Sequence, residues 1–289
     1  MRESGKDDDK ARTVAIQGER GSFSHAAVVE LLGEDWTPQP HASFESAFQA
    51  VAGGAAARAL IPFENSLAGS IHENYDRLSA LPLHIIGEAQ LRIRQCLIAR
   101  PGTSIGIIRR VASHPVALAQ CRKFFAERPQ VEAIATYDTA GAVRALQHDG
   151  PVTQAAIGPA LAAALYGGQV LMEGIEDDPE NYTRFLLLAR EPAAVAEGSK
   201  TSLVFTVENV PGALYKALGA FASRGADLAK IESRPLRGRP WEYAFYLDVL
   251  GDPRGAVGSA IEELRSLARD LRILGSYPAA AAALGAAKG

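Results

Sequence analysis

Residues 12–190 alternate short β-like runs with amphipathic helices, and no other feature of the chain restricts its fold as strongly. A strand over 13–17 is followed by a glycine-serine turn over 18–24 and a helix to Leu32. Ser43 caps a second helix, with Glu45 in its first turn and Gly53-Gly54 ending it. A strand over 58–61 is expected to stop at Pro62. The run over 83–99 alternates at Leu91, Ile93 and Gln95 and again at Leu97 and Ala99, so it reads as one extended segment crossing between lobes. Pro115 opens a helix expected to reach Glu127, with Pro129 marking its end. Strand 131–136, helix 139–147, strand 155–157, helix 159–166 and extended segments 171–175 and 183–189 complete the series. Such alternation implies a mostly parallel sheet with helices on both faces. The crossing strand implies two lobes with a cleft between them.

Residues 191–199 (Glu-Pro-Ala-Ala-Val-Ala-Glu-Gly-Ser) have the composition of a linker, and beyond them the order changes. Strand 202–208, a helix opened by Pro211 and running to Ser223, a hairpin of 229–233 with 243–250, helix 256–268 and strand 271–275 make βαββαβ, the ferredoxin-like motif. The 289 residues suit two domains. The expected division is a leader over 1–11, a catalytic domain over 12–190, a linker over 191–200, a regulatory domain over 201–278 and an alanine-rich tail over 279–289. Within 12–190, lobe 1 takes about 12–90 plus 172–190 and lobe 2 about 91–171. Both chain ends are expected to be mobile.

Hydrophobic residues make up 47% and charged residues 22%, which excludes a chain disordered throughout. A net charge of -3, with scattered lysines and arginines, offers no electrostatic footprint for nucleic acid. No apolar run reaches the ~18 residues of a membrane span, and the charged N-terminus lacks the apolar core of a signal peptide. A cytoplasmic protein with reduced thiols is expected, free of nucleic acid and membrane partners. The six histidines show no HExxH or HxH spacing, and no P-loop or dinucleotide fingerprint is present. Cys96 and Cys121 alone make no metal site. Cys121 follows His114 by seven residues, about two helical turns, so a Cys–His pair competes with an ordinary buried thiol.

Small polar clusters sit where strands hand over to helices: Gly18 to Ser24, Pro62 to Ser70, Ser113-His114-Pro115 and Asp138-Thr139. Ligands of open α/β sheets bind outside the carboxyl ends of the strands, where helix N–H groups favour anions. Simple N-capping is the competing reading for each cluster. A fifth cluster, Asn181-Tyr182-Thr183-Arg184-Phe185, follows the acidic loop 176–180.

The ordered set GERGSFS, IPFENSLAGS, SHPVALAQC and NYTRF resembles the prephenate dehydratase family. NVPGALYKAL and ESRP resemble its phenylalanine-binding ACT domain. The resemblance spans about Thr13 to Tyr277 and implies the monofunctional form, since no helical chorismate mutase segment precedes Thr13. Its lobe pattern is similar to that of periplasmic solute-binding proteins. Departures are Phe63, where isoleucine is more usual, Val116, where glutamine often follows His-Pro, and Asp138, a place commonly taken by serine.

The resemblance implies conversion of prephenate to phenylpyruvate, water and carbon dioxide, driven by aromatisation and needing no cofactor or metal. Negative charge grows on the departing ring hydroxyl, so a positioned donor is required. The family carries that role on the threonine of TRF, here Thr183, with Arg184 and Phe185 beside it. Because strand side chains alternate, Thr183 and Phe185 share one face, and Arg184 takes the other, where it braces the wall or pairs with Asp177, Asp178 or Glu180. Asn65, Ser66, Ser113, His114, Thr139 and Ser22 are the candidates for holding the substrate's carboxylates, and Glu64 is read as structural. Asn209, Pro211, Gly212, Ala213 and Leu214, with Glu232, Ser233, Arg234 and Pro235, are the candidates for binding L-phenylalanine between two ACT domains. A homodimer or homotetramer is therefore expected. Arogenate, with an amino group in place of the keto oxygen, is the alternative substrate. A non-catalytic amino acid-binding sensor is the alternative from another class.

Overall fold

A computed structural model describes residues 12–194, 199–236 and 238–280. The expected leader, most of the expected tail and residues 195–198 of the expected linker therefore lie outside the described residues. The chain divides into two compact units, one holding residues up to Ile71 and Ala89–Phe185, the other His72–Glu88 and Leu186 onward.

The first unit opens with β1 (Thr13–Gln17), α1 (Phe23–Leu32), β2 (Thr37–His41), α2 (Phe44–Ala52), β3 (Arg58–Asn65) and the short β4 (Gly69–Ser70). After α3 (His72–Ala80) come β5 (His84–Arg92), β6 (Cys96–Ala99), β7 (Arg110–Ser113), α4 (Pro115–Ala119) and α5 (Arg122–Ala126). Then follow β8 (Glu132–Ala135), α6 (Thr139–Asp149), β9 (Gln154–Gly158), α7 (Ala160–Tyr166), β10 (Gln169–Glu173) and β11 (Tyr182–Ala189). Two sheets result. Lobe 1 has the order β2-β1-β3-β11-β5 with β4 against β3, and lobe 2 the order β10-β6-β9-β7-β8. Strands β1, β2 and β3 pair in parallel, as do β7, β8 and β9, while β6 and β10 join antiparallel.

Lobe 2 shows why its strands are apolar throughout. Leu97, Val111, Ala155 and Ile157 enter one buried cluster, while their alternate neighbours Cys96, Ile98, Ala112 and Ala156 enter another. Both faces are covered, so the usual in-out polarity vanishes.

Several expectations need correction. Strand β2 was hidden by Pro38 and Pro40, residues tolerated because β2 is an edge of its sheet. Strand β3 runs through Pro62 to Asn65, since β1 pairs only with Arg58 and Ala59 and loses no ladder bond at the proline. The run 83–99 is two strands in different sheets. It breaks at 93–95, where Ile93 N–H donates to the Asn181 carbonyl (2.7 Å) and Ile175 N–H to the Gln95 carbonyl (3.1 Å), tying the two crossing segments together. The whole of β10 belongs to lobe 2's sheet, not partly to lobe 1. The helix from Pro115 breaks at Gln120 and Cys121, and the Asp177 carboxylate caps the new start by accepting from Arg122 N–H (3.0 Å) and Lys123 N–H (2.8 Å). Ser43 does cap α2, in a reciprocal box with Ser46.

The second unit carries β12 (Ser199–Thr206), α8 (Ala213–Ala222), β13 (Leu228–Pro235), β14 (Tyr243–Leu250), α9 (Ala256–Leu267) and β15 (Asp270–Pro278). Its antiparallel sheet has the order β13-β14-β12-β15, which is the ferredoxin-like arrangement, and it packs both helices on one buried cluster that includes Leu203, Phe221, Leu247 and Leu264. Helix α3, which no start signal announced, packs here. Arg272 donates to the carbonyls of Leu78 (3.3 Å), Ser79 (3.1 Å) and Leu83 (2.7 Å), satisfying orphan acceptors at and just beyond the helix's C-terminus. Tyr246 O–H meets Ser79 and the Tyr75 carbonyl. Lys200 and Glu88 form a buried ion pair at 2.6 Å.

Candidate active site

A cleft of about 350 Å³ lies between the lobes of the first unit. Lobe 1 contributes Gln17, Ser22, Asn65, Thr183 and Phe185, and lobe 2 contributes His114, Tyr137, Asp138 and Thr139. The volume suits one small molecule.

Thr183 and Phe185 share the cleft face of β11, and Arg184 does not line the cleft, as the strand period requires. Arg184 approaches Glu64 at 3.9 Å rather than the acidic loop, because Asp177 is already committed to the start of α5 and Glu176 accepts from Gln95 N–H (2.8 Å). Thr183 is 9% exposed, and its hydroxyl oxygen accepts from Asn65 Nδ2 at 3.0 Å. That bond occupies an oxygen lone pair and leaves the hydroxyl proton for a molecule in the cleft. Donation into the same oxygen polarises the O–H outward.

Asn65 is itself immobilised. Its Nδ2 also lies 2.7 Å from Asn181 Oδ1 and 3.1 Å from the Tyr182 carbonyl, while its Oδ1 accepts from Leu67 N–H (3.1 Å) and Ala68 N–H (2.9 Å). Ser66 adds a second clasp between the same segments, donating to the Glu180 carbonyl (2.7 Å) and accepting from Tyr182 N–H (2.9 Å). Asn65 therefore positions Thr183, and Ser66 is spent on backbone outside the cleft lining. Asn181, fully buried, completes the clasp; reading the sequence for exposed donors passes over such a residue.

The expected anion holders divide. Ser22 caps α1 and lines the cleft, accepting from His25 N–H at 3.3 Å. His114 lines it with Nδ1 accepting from Val116 N–H (3.2 Å), and Thr139 lines it as the first residue of α6. Ser113 does not. It is fully buried and donates to the Ile157 carbonyl at 2.7 Å, because it ends a central strand and its hydroxyl needs an internal partner. Cys121 is no nucleophile either, since burial first and then Asp177 and Glu176 push its thiol up to about 12. Among the described residues, no group of three or more His, Cys, Asp or Glu side chains is placed to hold a metal.

The sequence pattern of the family Prephenate dehydratase matches residues 14–193. The chain belongs to the prephenate dehydratase family. The ACT domain pattern matches residues 201–269. A relative from Arabidopsis thaliana, arogenate dehydratase/prephenate dehydratase 2, is 43% identical over 277 residues, covering 92% of this chain and 72% of the relative. The prephenate dehydratase of Arthrobacter aurescens, solved in complex with L-Phe, superposes with a TM-score of 0.84 at 35% identity, covering 92% of this chain and 89% of that one. A structure described as GqqA, a novel type of quorum quenching acylase, superposes at 0.86 with 37% identity, covering 93% and 98%. An enzyme of the dehydratase class is thereby established, and with it the two-lobed catalytic domain and the ACT domain. No described helix is long and apolar enough to cross a membrane.

In the ACT domain of this chain, Asn209, Ala213 and Leu214 line a pocket of about 90 Å³ with Trp241, Tyr243 and Phe245. Gly212, at φ 81, caps α8 in a conformation that a branched residue rarely adopts. The ESRP residues do not join this pocket. Glu232 meets His72 at 3.1 Å and Lys230 at 3.7 Å, and Arg234 holds Asp76 of α3 at 3.3 and 3.1 Å. Ser233 and Pro235 point to the exposed side of β13.

Proposed function

We propose that this protein dehydrates and decarboxylates prephenate to phenylpyruvate, with L-phenylalanine as effector bound where two ACT domains of a homo-oligomer meet. The carrying observation is Thr183 Oγ1, fixed by Asn65 at 3.0 Å in a small cleft, its proton given to no acceptor among the described residues. As the ring carboxylate leaves, the ring hydroxyl departs and charge develops on its oxygen. A donor already aimed there costs no reorganisation at that moment. Thr183 supplies the bond, Asn65 its direction, Phe185 the apolar wall, and the start of α1 the neutral N–H groups for carboxylates. Arogenate undergoes the same elimination, and the name of the Arabidopsis relative brings it in as a second substrate. Phenylalanine binding is supported by the ACT match and by the L-Phe complex of the Arthrobacter protein. The partial pocket beside α8 is well below the ~300 Å³ of ordinary ligand sites, which agrees with a site completed by a second chain.

The test is direct. Purified protein given prephenate or arogenate releases carbon dioxide, and the rate falls as L-phenylalanine is added. Likeness to GqqA favours amide hydrolysis as a competing activity. Cleavage of N-acyl amides without carbon dioxide release from either dicarboxylate would replace the dehydratase reading.

A further inference from the structure

The cleft lining contains one carboxylate, Asp138, and no lysine or arginine. Asp138 is 8% exposed and makes no ion pair among the described residues. Its Oδ1 is used, capping α6 by accepting from Gly141 N–H at 2.6 Å. Among the described residues its Oδ2 accepts no hydrogen bond. Space for that oxygen is made by Gly18, whose φ of 94 and missing side chain both matter: a Cβ there would lie 2.8 Å from Oδ2. Glu19 pairs with Arg144 at 3.0 Å, and Arg20 acts on His25. The Tyr137 hydroxyl is pushed up by burial first and then by the charges of Asp138 and Glu19, with Arg144 opposing.

For a dicarboxylate with a keto side chain, this arrangement offers repulsion and an acceptor facing an acceptor. A substrate carrying an ammonium in the same place gains a charge-assisted bond instead. We propose that Asp138 is a specificity-determining residue, its Oδ2 receiving the side-chain ammonium of an amino-acid substrate, so that the enzyme prefers arogenate to prephenate. This rests on the dehydratase reading of the cleft.

Initial rates on both substrates for wild type, Asp138→Asn and Asp138→Ser test it. Asparagine and serine are good N-caps, so α6 keeps its start, and thermal melts verify the fold. Wild type is expected to have the higher kcat/KM on arogenate. The arogenate-to-prephenate ratio is expected to fall about tenfold or more in both variants, chiefly through KM for arogenate. A ratio that stays the same in folded variants overturns the proposal, as does a wild type that prefers prephenate, while either result leaves the dehydratase reading intact. A folded wild type that turns over neither substrate overturns both.

Discussion

Lobe 1 meets the cleft chiefly with side chains borne on strands, whereas lobe 2 meets it with side chains at helix starts. The groups of lobe 1 are locked to one another across the sheet. Asn65 on β3 holds Thr183 on β11, and Asn181 and Ser66 brace the same junction. The groups of lobe 2 are tied only to their own helices, His114 to Val116 N–H and Asp138 to Gly141 N–H. Interlocked strands suit a donor that must already be in place when charge develops. Capping residues suit recognition, since one oxygen serves the helix and the other meets the ligand. On the proposed reading, turnover belongs to lobe 1 and selectivity to lobe 2.

The largest expected effect tests that division. Thr183→Ala is expected to lower kcat about 10²–10³-fold with little change in KM, the loss typical of one oxyanion-type donor. Asn65→Ala, which leaves the hydroxyl but not its orientation, is expected to cost about 10²-fold or less, again in kcat. An Asn65 variant with full turnover would break the positioning argument, and a Thr183 effect confined to KM would move chemistry away from lobe 1.

Next in size is Ser113→Ala. Its hydroxyl serves only the Ile157 carbonyl, so the variant is expected to lose about 1 kcal/mol of stability, or about 2–4 °C in Tm, with unchanged kinetics. A raised KM in a stable variant would return Ser113 to the binding surface.

The smallest effect concerns pH. His25 sits below its ordinary 6.5 because of burial first and Arg20 second, and its neutral Nδ1 accepts from Gly21 N–H at 2.9 Å. As pH falls through 6.5 the unfolded chain takes a proton that the folded chain refuses, so stability declines on acidification. Partly buried His41 shifts in the same direction. Melts from pH 7 to pH 5 are expected to show a falling Tm, flattened in part by His25→Gln. An unaltered slope would remove His25 from the account.

Much of the architecture was legible because it follows local rules. The βα alternation, the cap at Ser43, the change to βαββαβ after the linker, and the shared face of Thr183 and Phe185 all depend on periods of 2 and 3.6 and on capping chemistry. The prolines of β2 and the proline in β3 misled because their tolerance depends on which neighbours pair, a property of the assembled sheet.

The same boundary runs through the site. Residue types and their placement at strand-to-helix junctions marked Ser22, Asn65, Ser66, Ser113, His114 and Thr139 as one class. Tertiary structure separated them, because a hydroxyl or amide acts on a ligand only when no nearer backbone group claims it. Ser66 and Ser113 found carbonyls, Asn65 found Thr183, and Arg184 found Glu64 once Asp177 had capped α5. Asp138 gained an unclaimed oxygen only because Gly18, 120 positions earlier, leaves room for it. Periodicity and capping are set by near neighbours in the chain; which polar atoms remain free is set by distant ones, and that required the fold.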